Sequence, residues 1–358
     1  MKGLTPEQRS TLLLIAVLSV FAGVSNYQAW PTIPRFVIAT LALAGLAWVV
    51  SFATEQLGER FGPGVTGMMQ SSLGNLPELF VVIFALQKGE LVIAQTAIIG
   101  SILANSLLVL GLVIVVGARV APDGMMRFSR HLPRGTATML QVTVFIIVLL
   151  GLSLGSHDPA SHHVKAISIV GAIALLMVYL TWIIPYLRSD ARSNADERRA
   201  STGRTPRLSL GLNLLLLIIA GTASAFVSDW FVNGLEPAIS QLHISQAFAG
   251  LVIVAIAGNA VENAAGIVLA YKQRSDLAIS VVKNSVAQIA AFLFPVLVLI
   301  SLMLSTTLTF ALAPVYIGAL ALTALAVWQV TGDGEAAAFE GWALVALYVI
   351  LATVTLYE

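Results

Sequence analysis

The sequence contains no cysteine, which excludes disulfide bonds, thiolate metal sites and thiol catalysis. Charge is also scarce, because only 10% of the 358 residues are charged, whereas soluble domains contain about a quarter. So few polar side chains cannot cover a water-facing surface. The net charge of +1 gives no reason to expect a nucleic-acid partner. No HExxH motif, paired-aspartate motif or nucleophile–base set occurs, which argues against an enzyme.

Apolar runs are abundant instead. Hydrophobic residues make up 58% of the chain, and the mean hydropathy is +0.91. The runs are roughly 18 to 25 residues long, enough for a helix to cross hydrocarbon, and they do not alternate as membrane strands would. The sequence therefore predicts an all-α, polytopic membrane protein with about 11 transmembrane helices in a lipid bilayer. The predicted spans are 11–25, 35–52, 64–86, 92–116, 136–155, 164–187, 209–228, 244–270, 276–303, 308–330 and 340–357.

The basic residues predict how these spans are oriented. Cytoplasmic loops of membrane proteins carry an excess of Lys and Arg, so the basic residues on each side can be counted with the N-terminus placed in the cytoplasm. Fifteen then lie inside and three lie outside, namely Arg35, Lys88 and Lys165, which leaves Lys283 within a span. The N-terminus is therefore predicted to be cytoplasmic.

A polar, arginine-rich segment divides the chain. Residues 188–207, RSDARSNADERRASTGRTPR, contain few apolar side chains and are predicted to form a cytoplasmic linker. The predicted organisation is an N-terminal transmembrane helix and loop at 1–34, a first five-helix repeat at 35–187, this linker, and a second five-helix repeat at 208–358.

The two five-helix pieces share a motif. The first contains GNLPELFVVIFALQKGE from Gly74, and the second contains GNAVENAAGIVLAYKQR from Gly258, an offset of 184 positions. The motifs lie five crossings apart, so their segments cross the bilayer in opposite directions. Inverted repeats of this kind place the binding site of many secondary transporters at the midplane. The offset aligns Gly74 with Gly258, Asn75 with Asn259, Glu78 with Glu262, and Ser101 with Ser285.

Of the eighteen acidic residues, Glu78 and Glu262 alone lie well inside predicted spans. A carboxylate at that depth costs at least about 2.5 kcal/mol, so a functional role is expected. On a helix, Gly74 and Asn75 share a face with Glu78. Carboxylate, amide and backbone oxygens are the ligands that a hard cation such as Ca²⁺ prefers. The same carboxylates can bind protons, and competition between protons and a cation for one site is what antiport requires.

The sequence around these motifs resembles a known family. GNLPELFVVIFALQKGELVIAQTAIIGSILAN and AGNAVENAAGIVLAYKQRSDLAISVVKNSVAQIA are similar to the two alpha repeats of the Ca²⁺/cation antiporter superfamily. They resemble in particular its cation/proton exchanger family, with the ChaA-type bacterial calcium/proton antiporters. The resemblance implies that Glu78 and Glu262 bind cation and proton alternately, and that cations leave as protons enter across a bacterial inner (plasma) membrane. It assigns the following residues to the surrounding site and gating helices: Asn75, Asn259, Ser101, Asn105, Ser285 and Gln288.

The resemblance implies no cofactor; the partners would be small inorganic cations, with Ca²⁺ and H⁺ as transported ions. Lys283 leaves an alternative open. It lies about 10 Å into its span by helical rise, and it either snorkels to the cytoplasmic face or carries its charge towards the site. In the second case it would weaken divalent binding and favour Na⁺ or K⁺, which gives a Na⁺(K⁺)/H⁺ antiporter as the alternative function.

Two functions from different classes of protein also stay open, namely a passive cation channel and a membrane-embedded enzyme. Structural roles stay open as well. Each glutamate could be structural and pair with an arginine or a backbone group. Asn105, Ser285 and Gln288 could be ordinary interhelical hydrogen-bonding residues.

Overall fold

The computed structural model describes residues 4–61, 75–129, 131–197 and 208–358, and these are almost entirely helical. The predicted all-α membrane class is confirmed. Nine helices in the described ranges are long and apolar enough to cross a membrane, or ten if the bent pair Gln246–Gly258 and Asn263–Tyr271 forms one span. The predicted span 64–86 falls partly outside the described residues, so the number eleven stays a prediction.

The helices follow one another closely along the chain. They are α1 (Pro6–Tyr27), α2 (Thr32–Phe61), α3 (Leu76–Gln87), α4 (Leu91–Leu103), α5 (Leu110–Val120), α6 (His131–Gly155), α7 (Val164–Glu197), α8 (Leu210–Leu242), α9 (Gln246–Phe248), α10 (Ala255–Gly258), α11 (Ala260–Tyr271), α12 (Ser275–Gln288), α13 (Phe294–Ser301), α14 (Pro314–Thr331) and α15 (Ala338–Leu356). A 3₁₀ turn, Pro159–His163, precedes α7, and the two strands are β1 (Met125–Arg127) and β2 (Glu335–Ala337). Three π-helical segments make continuous connections: Ala104–Val109 joins α4 to α5, Ala249–Val254 joins α9 to α10, and Ile289–Leu293 joins α12 to α13.

Helix α7 continues past the end of the apolar sequence. The predicted first repeat ends at residue 187, yet the backbone stays helical through Glu197. The ten residues 188–197, RSDARSNADE, contain neither glycine nor proline, so the usual signals that end a helix are missing. The rest of the predicted linker, 198–207, lies outside the described residues, and the division of the chain there stays a prediction.

By its contacts the chain forms two compact units. The first comprises the described residues of Met1–Phe84, Leu180–His243 and Ala257–Val261, and the second those of Ala85–Tyr179, Ile244–Ile256 and Glu262–Glu358. In the first unit α2 packs along α8, and α1 packs against both. Phe36 and Phe231 bring α2 and α8 together, with ring centroids 5.2 Å apart. Nearer the other end of this contact, Asn213 Nδ2 donates to the carbonyl oxygen of Ala53 at 2.9 Å.

In the second unit, helices meet backbone to backbone at glycines. A Cβ added to Gly100 would lie 2.5 Å from the Cα of Leu251, and one added to Gly111 would lie 2.6 Å from the carbonyl oxygen of Gly341. No side chain fits in either place. Lipid tails are as apolar as leucine, so membrane helices associate through such close packing rather than through the hydrophobic effect. These glycines therefore allow close packing of α4 against the segment Ala249–Val254 and of α5 against α15.

Strands β1 and β2 form a short antiparallel ribbon in the second unit. Met125 pairs with Ala337 and Arg127 pairs with Glu335. The Arg127 guanidinium hydrogen-bonds to Asp123 and holds the pKa of that carboxyl below its usual value, and it lies 3.6 Å from Glu335 Oε2. The basic-residue count places both strands on the same side of the membrane, and their pairing agrees with that; which side it is stays a prediction.

The glycine contact at Gly100 gives a stability prediction. Gly100→Ala should lower the melting temperature of the purified protein by roughly 5 °C, because overpacking of a close contact costs about 1–3 kcal/mol. Gly318→Ala is the matched control, since nothing lies within 4 Å of the position of its added Cβ. Thermal unfolding in detergent measures both variants. Equal melting temperatures for the two would contradict this packing.

Candidate functional site

Glu78 lies in the first turn of a helix that begins inside the apolar sequence. Helix α3 starts at Leu76, and the Leu79 amide donates to the carbonyl oxygen of Asn75 at 2.9 Å. The Glu78 side chain is only 1% exposed. The N-terminal end of a helix carries a partial positive charge and unpaired N–H groups, which favour a carboxylate in the first turn. The predicted buried carboxylate is therefore present, and the backbone around it suits a negative charge.

The second motif also places its glutamate in the first turn of a helix. Helix α10 ends at Gly258, Asn259 is outside both helices, and α11 begins at Ala260. The segments on either side of this break, Gln246–Gly258 and Asn263–Tyr271, are bent by 58°. Glu262 is the third residue of α11, as Glu78 is of α3; its side chain is not among those described. Asparagine followed three residues later by glutamate resembles the spacing of a capping box, in which both residues bind the first turn.

A direct contact joins residues of the two motifs. A Cβ added to Gly258 would lie 3.7 Å from the Cβ of Glu78, so the backbone of the second motif passes beside the glutamate of the first. Asn75 and Asn259 are also buried, at 5% and 2% exposure. The predicted site residue Gly74 lies outside the described residues. Two segments that are 184 residues apart in the sequence are therefore neighbours at Glu78.

Helix α8 covers the start of α3 with small and polar residues that the sequence motifs did not indicate. Gly221 lies against Leu76, with its added Cβ 3.7 Å from Leu76 Cδ1. Ser228 Oγ donates to the carbonyl oxygen of Pro77 at 3.3 Å. The sequence does contain one signal for this contact, because small and polar residues lie along one face of an otherwise apolar span. Such residues let membrane helices approach each other and form hydrogen bonds.

The remaining predicted site residues lie in the second unit. Ser101, Asn105 and Ser285 are buried, and Gln288 is half-buried at the end of α12. Asn105 Nδ2 donates to Ser285 Oγ at 3.3 Å, so the structure brings these two residues together. This bond is also what the interhelical hydrogen-bonding alternative requires.

The backbone of the second unit repeats with the sequence. Shifted by 184 positions, the π-helical segment Ala104–Val109 covers residues 288–293, and the structure has a π-helical segment at Ile289–Leu293. Each segment follows one of the aligned serines, Ser101 and Ser285. π-Helical turns inside α-helices are rare and occur frequently at functional sites. The repeat is thus visible in an unusual backbone feature as well as in side chains.

Lys283 is held inside the second unit. Its side chain is 5% exposed, and Nζ donates to Thr331 Oγ1 at 2.5 Å. Thr331 is the last residue of α14, where the partial negative charge of a helix C-terminus favours a cation. No acidic residue forms an ion pair with this ammonium in the part of the chain that the structure describes. The Lys283 amine is therefore buried, and it is held by a hydroxyl at a helix end.

Comparisons with known proteins agree with this architecture. A family model described as sodium/calcium exchanger protein matches residues 32–185 and 212–357. The vacuolar calcium ion transporter of Schizosaccharomyces pombe is 31% identical over 97% of this chain and 84% of its own length. The Ca²⁺/H⁺ antiporter ChaA of Bacillus subtilis is 28% identical over 96% of this chain and 98% of its own length. The solved structure of native YfkE has a TM-score of 0.81 at 26% identity and is matched over 97% of this chain and 100% of that chain.

The Asn105–Ser285 bond can be tested through its coupling energy. Ser285→Ala should destabilise the protein because it leaves a buried amide without its acceptor, at a cost of about 1–3 kcal/mol. Asn105→Leu should remove most of that penalty when the two changes are combined. A double-mutant cycle of unfolding free energies measures the coupling, which should be about 0.6–1.7 kcal/mol. Strictly additive effects would show that the bond contributes nothing.

Proposed function

The chain belongs to the sodium/calcium exchanger protein family, and we propose that it is a secondary transporter that exchanges cytoplasmic Ca²⁺ for protons. The observation that carries this proposal is the buried Glu78 in the first turn of α3, beside Gly258 of the repeated motif. The relatives named as a calcium ion transporter and as a Ca²⁺/H⁺ antiporter match nearly the whole chain, which supports the exchange of Ca²⁺ for H⁺ here.

In the proposed mechanism, Glu78 and Glu262 form one site that holds either a Ca²⁺ ion or protons. Two carboxylates neutralise a divalent cation, and two protons neutralise the same carboxylates, so either occupant leaves the site without net charge. An uncompensated charge in the bilayer costs several kcal/mol. A site that holds neither Ca²⁺ nor protons would therefore change its access from one side of the membrane to the other only slowly. Exchange then follows, because one occupant must leave before the other binds.

Neighbouring oxygens complete the proposed site. Ca²⁺ takes six to eight oxygen ligands, which is more than two carboxylates provide. Side-chain oxygens of Asn75 and Asn259 stand one turn before the glutamates, and the backbone at Gly74 and Gly258 would offer carbonyl oxygens. The resemblance adds hydroxyl and amide groups that would line the site or its gate: Ser101, Asn105, Ser285 and Gln288.

The direction and the access of the site are also proposals. The inverted repeats at 35–187 and 208–358 would open the site to each side of the membrane in turn. With the N-terminus cytoplasmic, as the basic residues predict, protons entering the cell would drive the cation out across a bacterial plasma membrane.

Lys283 supports a second candidate, a Na⁺(K⁺)/H⁺ antiporter of the same fold. A buried ammonium adds a positive charge to the same unit as several proposed site residues, and positive charge opposes a divalent cation more than a monovalent one. Calcium remains the first choice because of the relatives' names.

The paired-glutamate site is tested by transport in proteoliposomes with an imposed pH gradient. Glu78→Gln and Glu262→Gln should each abolish proton-driven Ca²⁺ exchange, because glutamine neither releases a proton nor carries the charge that the cation needs. Glu236→Gln, an exposed position on α8, is the control and should exchange normally. Ca²⁺ flux of the parent protein with no proton movement in the opposite direction would indicate a channel. Full exchange in either site variant would end the proposed mechanism.

The role of Lys283 is tested by ion preference. Lys283→Ala removes the ammonium, so the ratio of Ca²⁺ to Na⁺ affinity should rise about tenfold or more if its charge acts on the site. Thr331→Val keeps the ammonium but removes its hydroxyl partner. This variant therefore distinguishes the effect of the Lys283 charge from the effect of its hydrogen bond. Competition binding measures both ratios. Unchanged ratios in Lys283→Ala would dismiss the selectivity role and, with it, the reason to prefer monovalent ions.

A further inference from the structure

Two buried polar atoms near the start of α3 have no hydrogen-bond partner among the described residues. They are Nδ2 of Asn75, whose side chain is 5% exposed, and Oγ of Ser224 on α8, whose side chain is fully buried. A buried polar atom without a partner costs about 1–3 kcal/mol, so native proteins pair such atoms with other groups or with ordered water. Two such atoms near the start of one helix point to a partner that both atoms share.

Helix geometry puts Ser224 opposite the start of α3. Gly221 lies against Leu76, and Ser228 bonds to the carbonyl oxygen of Pro77. At 100° per residue, Ser224 projects from α8 within about 60° of both Gly221 and Ser228, so all three share one face. Ser224 therefore lies between two contacts to the residues that directly follow Asn75.

The chemistry of the two atoms favours water over a cation. An amide Nδ2 only donates hydrogen bonds, and a donor beside a cation is repelled by it. A water molecule accepts from the amide and either donates to or accepts from the serine hydroxyl. Buried waters typically make two to four such bonds with polar groups, and this place offers the Asn75 amide, the Ser224 hydroxyl and the first turn of α3.

We propose that an ordered water lies between Asn75 and Ser224, and that through this water α8 supplies protons to Glu78. The proton-supply part rests on the proposed exchange function. In such a relay a proton that enters from the aqueous phase during exchange binds the Ser224 hydroxyl oxygen, the hydroxyl passes its own proton to the water, and the water passes one to the Glu78 carboxylate. The hydroxyl and the water end unchanged, and one proton from the aqueous phase reaches the carboxylate. Ser224 is then a positioning residue for proton transfer, whereas Ser228 fixes α8 against α3.

The water itself is tested without any transport measurement. A structure of the parent protein at a resolution that reveals ordered water should show one oxygen within about 3.2 Å of both Asn75 Nδ2 and Ser224 Oγ. In Ser224→Ala that oxygen should be lost or displaced. A dry contact between the two side chains, or a bound cation at this position, would overturn the proposal.

The proton-supply role is tested by comparing Ca²⁺ binding with exchange. In Ser224→Ala, proton-driven exchange should fall about five- to tenfold, the effect of one lost hydrogen bond, while Ca²⁺ affinity changes less than about twofold. Ser224→Thr keeps the hydroxyl and should restore exchange, and Ser240→Ala, at an exposed position on α8, should behave like the parent.

Three outcomes have separate meanings. Normal exchange in Ser224→Ala would overturn the proton-supply role. A loss of Ca²⁺ affinity that matches the loss of exchange would overturn it as well, because Ser224 would then act on the cation. Absence of proton-driven exchange in the parent would instead contradict the proposed function, and with it the relay, and would leave the water to be decided by the structure.

Discussion

A carboxylate inside a membrane span has to be stabilised by the protein, because hydrocarbon supplies no water to solvate it. In this chain α3 begins at Leu76, within the apolar sequence, and puts Glu78 in its first turn. The helix start offers unpaired N–H groups and a partial positive charge, and Gly258 brings the backbone of the second motif beside the same side chain. In the second motif Gly258 ends α10, Asn259 lies between the two helices, and Glu262 is the third residue of α11, the position that Glu78 has in α3.

Close backbone contacts and repeated π-helical segments characterise the second unit. Glycines at Gly100 and Gly111 allow backbone contact with neighbouring segments, where a larger side chain would separate the helices. The π-helical segments Ala104–Val109 and Ile289–Leu293 occur at equivalent places in the repeat. A π-helical turn changes the direction of the side chains that follow it without ending the helix. With π-helical segments the spans stay continuous helices, and the polar side chains of Asn105 and Ser285 still point towards each other.

Sequence reasoning was strongest where the bilayer constrains the chain. Composition and apolar runs predicted the all-α membrane class. Two GNxxE motifs at one offset predicted that Glu78 and Glu262 share one site; Glu78 is buried beside Gly258, and the pairing of the two glutamates stays a prediction. Other features depend on contacts that no local pattern encodes. The π-helical segments have no sequence signature here. The continuation of α7 to Glu197 occurs in a polar segment that lacks glycine and proline. The hydroxyl that hydrogen-bonds to Lys283 belongs to Thr331, 48 residues away in the sequence. Ser224 and Ser228 were missed because serine is common in membrane helices, and only the structure shows that these two serines lie beside α3.

The central claim is that Ca²⁺ and protons compete for the same buried carboxylates. Calorimetric titration of the purified protein with Ca²⁺, repeated in buffers with different ionisation enthalpies, counts the protons released for each ion bound. The account predicts a single Ca²⁺ per chain whose binding releases protons to the buffer. Ca²⁺ binding that releases no protons, across the pH range in which the protein stays folded, would contradict it.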